Sequence, residues 1–169
     1  VELSTPQQPE FKIPIRDIVF HTTILVPSRI EAPAEFTLPM RHHRLSMVRG
    51  LLNDKRPTYF VVDTGGEVIS ISTATAEELD HDIPRKIALR VYGTSGWDRD
   101  AFLMPGVNLR FNQINYNNFA VVVLNLQAPS VLLGFQVGGI VGHKFLSPYR
   151  VTLDLERSQL RMSKSVASN

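Results

Sequence analysis

A single carboxylate follows an apolar run in the middle of the chain. Residues 58–62, Thr-Tyr-Phe-Val-Val, have the aromatic and β-branched composition of a buried strand, and Asp63 comes directly after them. Residues 64–66, Thr-Gly-Gly, then predict a sharp turn into a second apolar strand at 68–72. Because packed strands on both sides can fix its position, such an acid is suited to general acid–base catalysis.

Two other segments stand out farther along the chain. Residues 140–142, Ile-Val-Gly, place two β-branched residues before a glycine, and the chain after them predicts a helical turn at 143–147 and then a strand. Residues 91–97, Val-Tyr-Gly-Thr-Ser-Gly-Trp, form a glycine-containing tip between strands, which predicts a mobile hairpin.

The elements that must position these residues are mostly strands. Short runs rich in Val, Ile, Phe and Thr, separated by Pro, Gly and Asn, predict a mainly β, all-β class fold with one or two short helices. The predicted strands are 18–26, 35–40, 45–49, 58–63, 68–72, 86–92, 107–111, 118–124, 150–155 and 160–162. Turn residues at 53–54, 112–113 and 157–158 connect neighbours as hairpins, so a β-meander is expected.

A short helix is expected at about 73–79, with Thr75 and Glu78 spaced as a capping box.

The length of 169 residues predicts one domain, or one with an appendage. Prolines punctuate the first 34 residues, so we expect residues 1–34 to be an extension packed on or covering a main domain at 35–163, with a tail at 164–169.

Composition excludes several classes of function. The net charge of +2 is evenly scattered, so nucleic acid is not expected as a partner, and no apolar run predicts membrane insertion of this segment. The absence of cysteine excludes thiol nucleophiles, disulfides and thiolate metal sites. The chain begins at Val1 with a polar, proline-bearing stretch, which favours a processed product or an excised piece and is compatible with an exported or periplasmic protein.

No cofactor and no metal is expected. The pair His42-His43 suggests a metal site, but adjacent residues on a strand point to opposite faces and do not ligate one ion without distortion.

The three candidate segments resemble the aspartic proteases, specifically the single-domain retroviral type and its bacterial relatives. In that family a hydrophobic pair precedes Asp-Thr-Gly, as in Val61-Val62-Asp63-Thr64-Gly65, and a hydrophobic-hydrophobic-Gly element packs beneath the acid, as in Ile140-Val141-Gly142. The tip at 92–94 is similar to the flap of pepsin-like enzymes. The resemblance covers about residues 35–163 and implies a retropepsin-like acid protease barrel.

The resemblance also implies roles for single residues. They are a catalytic Asp63; an active-site loop of Thr64, Gly65 and Gly66; flap or substrate-binding residues Tyr92, Gly93, Thr94 and Trp97; and the supporting element of Ile140, Val141 and Gly142. Two departures stand out. Gly66 replaces the usual Ala or Ser, and the sequence at 142–144, Gly-His-Lys, replaces the commoner Gly-Arg-Asp.

Hydrolysis by carboxylates alone requires two of them about 3 Å apart and sharing one proton. The chain has one Asp-Thr-Gly, so the second acid must come from another copy, and we expect a homodimer with both Asp63 side chains on its two-fold axis. A peptide or protein substrate would lie extended under the hairpins and add a strand. The expected rate profile is bell-shaped with a mildly acidic optimum.

Other interpretations of these residues, and one other function, remain at this point. Asp63 is also typical of an acid that only caps a turn, and Tyr92 and Trp97 are also typical surface-hairpin aromatics. The main alternative function is a catalytically inactive retropepsin-like module that binds peptides or holds assemblies together, which the changes at Gly66 and at 142–144 make plausible.

Overall fold

The computed structural model describes residues 29–79, 87–93 and 96–164. Strands dominate this part of the chain, and the all-β class is confirmed. The strands are β1 Arg29–Glu31, β2 Glu35–His42, β3 Ser46–Leu52, β4 Arg56–Val62, β5 Ile69–Ser72, β6 Ile87–Ala88, β7 Val91–Gly93, β8 Gly96–Asp98, β9 Phe102–Phe111, β10 Ile114–Leu124, β11 Gly139–Val141, β12 Tyr149–Asp154 and β13 Gln159–Lys164. The helices are α1 Thr73–Leu79, α2 Gln127–Leu133 and α3 His143–Leu146.

Six strands close a barrel. They pair in the order β3, β4, β11, β5, β10, β9, and β9 pairs back onto β3 through Leu51 opposite Arg110 and Leu52 opposite Leu109. Strands β2, β13 and β12 extend the sheet beyond β3, while β6 lies on β9 and β1 on β10. Closure removes the exposed edges that an open sheet of these six strands would have.

The alternation of side chains along the strands separates two cores. The larger core fills the barrel and includes Phe60, Phe111 and Phe145, whose rings meet edge to face. A smaller cluster of Met47, Val61, Leu126 and Val137 lies on the other face of β3 and β4, next to the segment around α2. The aromatic pairs make the barrel interior rigid beneath the strand that ends at residue 62.

The three predicted hairpin turns are confirmed. Residues 53–54 connect β3 to β4, residues 112–113 connect β9 to β10, and residues 157–158 lie between β12 and β13. Asn53, Asp54, Asn112 and Ser158 all have positive φ, the left-handed conformation that tight hairpin turns require. The predicted strand at 18–26 lies outside the described residues.

The expected β-meander is wrong at several places, since β2 pairs with β13, β5 pairs in parallel with β10, and β11 is inserted between β4 and β5. Strand β11 lies between β4 and β5, parallel to the first and antiparallel to the second. The loop at 63–68 separates β4 from β5 by one strand position, and a segment from far along the chain fills the gap. The prediction of a single strand at 86–92 is also wrong, because the structure has two strands there: β6 pairs with β9, whereas β7 pairs with β8. Residue 86 lies outside the described residues.

The helix at 73–79 is confirmed, but its predicted capping box is not. Thr75 lies inside α1, and the cap is the buried Ser72, whose Oγ accepts the Thr75 N–H at 3.1 Å. Glu78 instead forms an ion pair with Arg56 of β4. The prediction of a helical turn near 143–147 is confirmed by α3, whereas α2 was not predicted.

The end of the predicted extension contacts the sheet. Strand β1 pairs with residues 115–117 of β10, and Lys164 of β13 donates its backbone N–H to the Ala34 carbonyl at 2.8 Å. The described residues contain no helix long and apolar enough to cross a membrane.

Candidate active site

Asp63 lies immediately beyond β4 and is half-buried. Its backbone N–H donates to the Val141 carbonyl at 3.0 Å, which continues the parallel pairing of β4 with β11 by one residue. In that pairing Ile140 lies opposite Val61 and Val141 opposite Val62. The structure therefore brings Asp63 and the 140–142 triplet together, and the backbone of the acid is fixed by the barrel wall.

The turn after Asp63 is closed partly by the acid itself. The Gly65 N–H donates to Asp63 Oδ1 at 2.9 Å, and the Gly66 N–H donates to the Asp63 carbonyl at 3.2 Å. The carboxylate thus caps the turn, as one of the alternatives predicted, and it also stays partly accessible to solvent. Thr64 and Gly65 are exposed at the tip of this loop.

The second half of the loop is held by the start of α3. The N–H groups of His143 and Lys144 donate to the carbonyls of Gly66 and Glu67 at 2.6 and 2.9 Å. The Gly142 N–H donates to the Val68 carbonyl at 3.2 Å. A helix leaves its first N–H groups without partners inside the helix, and α3 has no side-chain cap, so the acid-bearing loop supplies acceptors for them.

The close backbone approach in this region occurs at Gly142 and not at Gly65. A Cβ on Gly65 would meet only Asp63 Oδ1, at an ordinary 3.5 Å, whereas a Cβ on Gly142 would lie 2.2 Å from the Gly66 carbonyl oxygen. A Cβ on Gly66 would lie 3.1 Å from Asp63 Oδ2, a tight contact with a side chain that can move. The glycine that the hydrogen bonds require is therefore the one at 142.

The predicted hairpin is present, and its mobility remains a prediction. Among the strands that the structure describes, β7 and β8 pair only with each other, with Tyr92 opposite Trp97. Their rings meet edge to face at 5.2 Å and are 70% and 62% exposed. Thr94 lies outside the described residues. Two large aromatic side chains held together in water form a surface suited to covering an apolar ligand.

Sequence reasoning missed the contact that connects this hairpin to the barrel. Asp98, at the end of β8, accepts the Asn125 N–H through Oδ2 and the Asp100 N–H through Oδ1, both at 3.0 Å. Asn125 in turn accepts the Gln127 N–H at the start of α2. The helix itself carries detectable signals, since an asparagine precedes it and Gly134 follows it in the left-handed conformation.

The structure has an open groove of about 890 Å³ between the hairpin and α2. Trp97 lines one side, and the exposed Val131 and Leu132 of α2 line the other. Asp63 is not among the residues that line this groove. The acid-bearing loop and the groove next to the hairpin are therefore separate features of one chain.

The family model of the aspartyl proteases matches residues 48–142, which is more than half of the chain. The chain belongs to the aspartyl protease family. The matched range begins in β3, contains the whole acid-bearing loop and the hairpin, and ends at Gly142, the residue that holds the loop by close backbone contact.

Solved structures show which fold this member of the aspartyl protease family has. A retropepsin-like aspartic protease from Rickettsia conorii is similar with a TM-score of 0.53 at 16% identity, covering 82% of this chain and 94% of that one. Two others have a TM-score of 0.47. One is the EIAV protease in complex with the inhibitor HBY-793, which is 20% identical and covers 62% of this chain and 88% of that one. The other is the retroviral protease-like domain of Ddi1 from Leishmania major, which is 16% identical and covers 76% of this chain and 99% of that one. The predicted retropepsin-like barrel is confirmed. No curated protein matches the chain.

Proposed function

We propose that this chain is an aspartic endopeptidase whose active site forms when two copies bring their Asp63 side chains together. The observation that carries the proposal is the state of Asp63: a partly accessible carboxylate on a loop held by backbone hydrogen bonds from both β11 and α3. Membership of the aspartyl protease family supports the same assignment.

The need for a second copy follows from the count of acids. A pair of carboxylates about 3 Å apart holds one proton, so one member can accept a proton while the other donates one. The chain carries one Asp-Thr-Gly, and its largest described groove does not include Asp63. A cleft that contains the acid would therefore be formed between copies, with Thr64 and Gly65 exposed at the interface.

The reaction needs only these two acids and water. The ionised Asp63 takes a proton from a water molecule, and the resulting hydroxide oxygen bonds to the scissile carbonyl carbon while the protonated Asp63 of the other copy gives its proton to the carbonyl oxygen. The tetrahedral intermediate then collapses. Its C–N bond breaks as the amide nitrogen receives a proton from one acid, while a hydroxyl of the intermediate gives its proton to the other acid and its oxygen forms the C=O bond of the product, so the pair again holds one proton.

The hairpin and its groove would bind the substrate. An extended peptide can pair with the hairpin through main-chain hydrogen bonds, while its apolar side chains lie against Tyr92, Trp97 and the exposed Leu132. In this proposal Gly93 and Thr94 are substrate-binding residues, and residues 140–142 support the acid.

The test compares cleavage of an unfolded protein by wild type and Asp63→Asn. We expect the variant to lose at least about a thousandfold in rate, since it has no ionisable acid, while the exposed-turn control Glu156→Gln keeps wild-type activity. Wild-type specific activity should also fall as the protein is diluted. Equal rates for wild type and Asp63→Asn would end the protease proposal, and dilution-independent activity would end the shared site.

The same preparation tests the alternative of an inactive module. For the enzyme we expect a bell-shaped rate profile with a mildly acidic optimum, because one proton must be shared by the two acids. Tight binding of an extended peptide mimic without cleavage between about pH 3 and pH 8 would assign the chain to peptide binding instead. An optimum above pH 8 would contradict a carboxylate pair.

A further inference from the structure

The outer face of the barrel carries three arginines in a row. Arg41 of β2 is opposite Met47, and Arg49 is two residues farther along β3, so these two are diagonal neighbours on one face. Arg110 of β9 is opposite Leu51, which makes it the next diagonal neighbour of Arg49. Diagonal neighbours in antiparallel sheets are about 7–8 Å apart.

All three arginines line a groove of about 620 Å³, and Arg41 also lines an adjoining groove of about 660 Å³, which shares Met40, Arg41 and Tyr59 with the first. The second groove adds His42 and His43. Among the described residues that line either groove, none is a carboxylate. The floor is partly apolar, with Pro39 and Leu51 between the charges.

The arginines are only weakly neutralised within the described part of the chain. Arg41 stacks over the Tyr59 ring at 4.7 Å, and Arg110 has an exposed ion pair with Asp54 at 3.4 Å, a kind of contact that contributes little. Arg49 is exposed opposite Tyr59. Elsewhere on the described surface, by contrast, Arg157 and Arg161 both pair with Asp154.

We propose that this face binds an extended acidic peptide segment with a carboxylate at every second residue. Successive side chains on one side of an extended chain are about 6.6–6.8 Å apart, close to the spacing of the arginines. Each carboxylate can then meet one guanidinium, while the apolar floor contacts the backbone and alternate side chains. A stretch of this kind in a protein partner would be held at a site distinct from the Asp63 loop, whether or not the chain cleaves it.

The test measures binding of a fluorescein-labelled, end-capped peptide with four Glu-Val repeats, by fluorescence anisotropy at pH 7. The full chain carries Asp63→Asn so that cleavage cannot interfere. We expect Arg49→Gln to weaken binding about twofold to fivefold, and Arg41→Gln with Arg49→Gln about tenfold. The matched control is Arg150→Gln, an exposed arginine on β12 that removes the same charge from another surface. Raising NaCl from about 0.05 to 0.5 M should weaken binding.

Other outcomes would overturn the proposal. These are no binding, equal loss for Arg49→Gln and Arg150→Gln, or unchanged affinity when each Glu of the peptide is replaced by Gln. An oligothymidylate of equal charge that binds more tightly than the peptide, with the same dependence on Arg49, would make the face a nucleic-acid site. Circular dichroism of each variant separates loss of binding from loss of fold.

Discussion

At the scale of single residues, Gly142 shows why one glycine is required where others are not. Three backbone hydrogen bonds connect residues 142–144 to the loop that carries Asp63, and they need the two backbones to be almost in contact. The space that a side chain at 142 would occupy is filled by the Gly66 carbonyl. Any side chain at this position would separate the loop from α3.

We therefore expect Gly142→Ala to lower the free energy of unfolding by about 3 kcal/mol and to abolish cleavage, because rigid backbone must move to accommodate the methyl group. The matched change Gly66→Ala places its methyl group 3.1 Å from a movable carboxylate oxygen, at a φ that is not positive. It should raise the free energy of unfolding by about 0.5 kcal/mol by restricting the unfolded chain. Urea unfolding of both variants measures these effects, and equal stability for Gly142→Ala and wild type would contradict the argument.

Part of this site could be predicted from the sequence. Asp63 and residues 140–142 each lie in a local pattern of apolar residues and glycine, and the resemblance to the aspartic proteases predicted that the two segments belong to one site. The donors from His143 and Lys144 could not be predicted, because they are backbone N–H groups and every residue but proline carries one. Their partners depend on where the helix begins in space.

At the scale of elements, the hairpin of β7 and β8 depends on one carboxylate at its base. Its two strands pair with no other described strand, and Asp98 accepts the backbone N–H groups of Asn125 and Asp100, which connects the hairpin to the end of β10. The contact also joins the hairpin to the start of α2, on the opposite side of the large groove. Losing it should change how the hairpin covers a ligand.

Asp98→Ala is expected to raise KM several-fold with a smaller change in kcat, because the acid of the reaction lies elsewhere and only substrate coverage is weakened. Hydrogen exchange of the amides at 91–98 should become faster. Asp54→Asn, which alters an exposed acid on the β3–β4 turn, serves as the control. If kcat fell and KM stayed constant, Asp98 would not act by positioning the hairpin.

The hairpin of β12 and β13 carries a different carboxylate. The Arg157 N–H donates to Asp154 at 2.9 Å, and this bond, together with the side chains of Arg161 and Arg157, holds the pKa of the Asp154 carboxyl below its usual range. An acid whose pKa is lower in the folded state than in the unfolded chain stabilises the fold at pH values above the ordinary aspartate pKa of about 3.9. That contribution is lost as the pH falls through the pKa of the folded state.

We expect Asp154→Asn to lower Tm at pH 7 and to have progressively less effect as the pH falls from about 4 through the lowered pKa of the folded state, where the wild-type acid becomes protonated. Thermal unfolding followed between about pH 2 and pH 7 measures the difference. Glu156→Gln, in the same turn, should leave the pH dependence of Tm unchanged. A difference in Tm that stays constant over this range would show that the ionised form of Asp154 does not stabilise the hairpin.

The sequence predicted correctly those elements whose signal lies in a few neighbouring residues. The turn residues at 53–54 and 112–113 predicted their hairpins correctly, because left-handed asparagine and aspartate are local chemistry. The insertion of β11 between β4 and β5 depends on pairing over about 70 residues, which a local pattern does not encode. Helix α2 was missed because Pro129 interrupts its pattern, although proline is tolerated in a first helical turn.

At the scale of the whole molecule, the closed barrel brings an acid to the surface but supplies only one copy of it. The barrel interior is filled by aromatic and aliphatic side chains, so the acid-bearing loop is mounted on a rigid wall. Nothing within one chain places a second Asp-Thr-Gly beside the first. In the proposed enzyme, activity would then depend on how copies combine.

Mixing wild type with Asp63→Asn measures this dependence. At a fixed total concentration well above the dimer dissociation constant, the proposed site needs wild type in both copies, so an equal mixture should have about one quarter of the wild-type rate. Independent monomers would give about one half, and a dimer in which one acid suffices would give about three quarters. A control mixture with Glu156→Gln should keep the full rate. A linear dependence on the wild-type fraction would contradict a site built from two copies, even if Asp63→Asn alone were inactive.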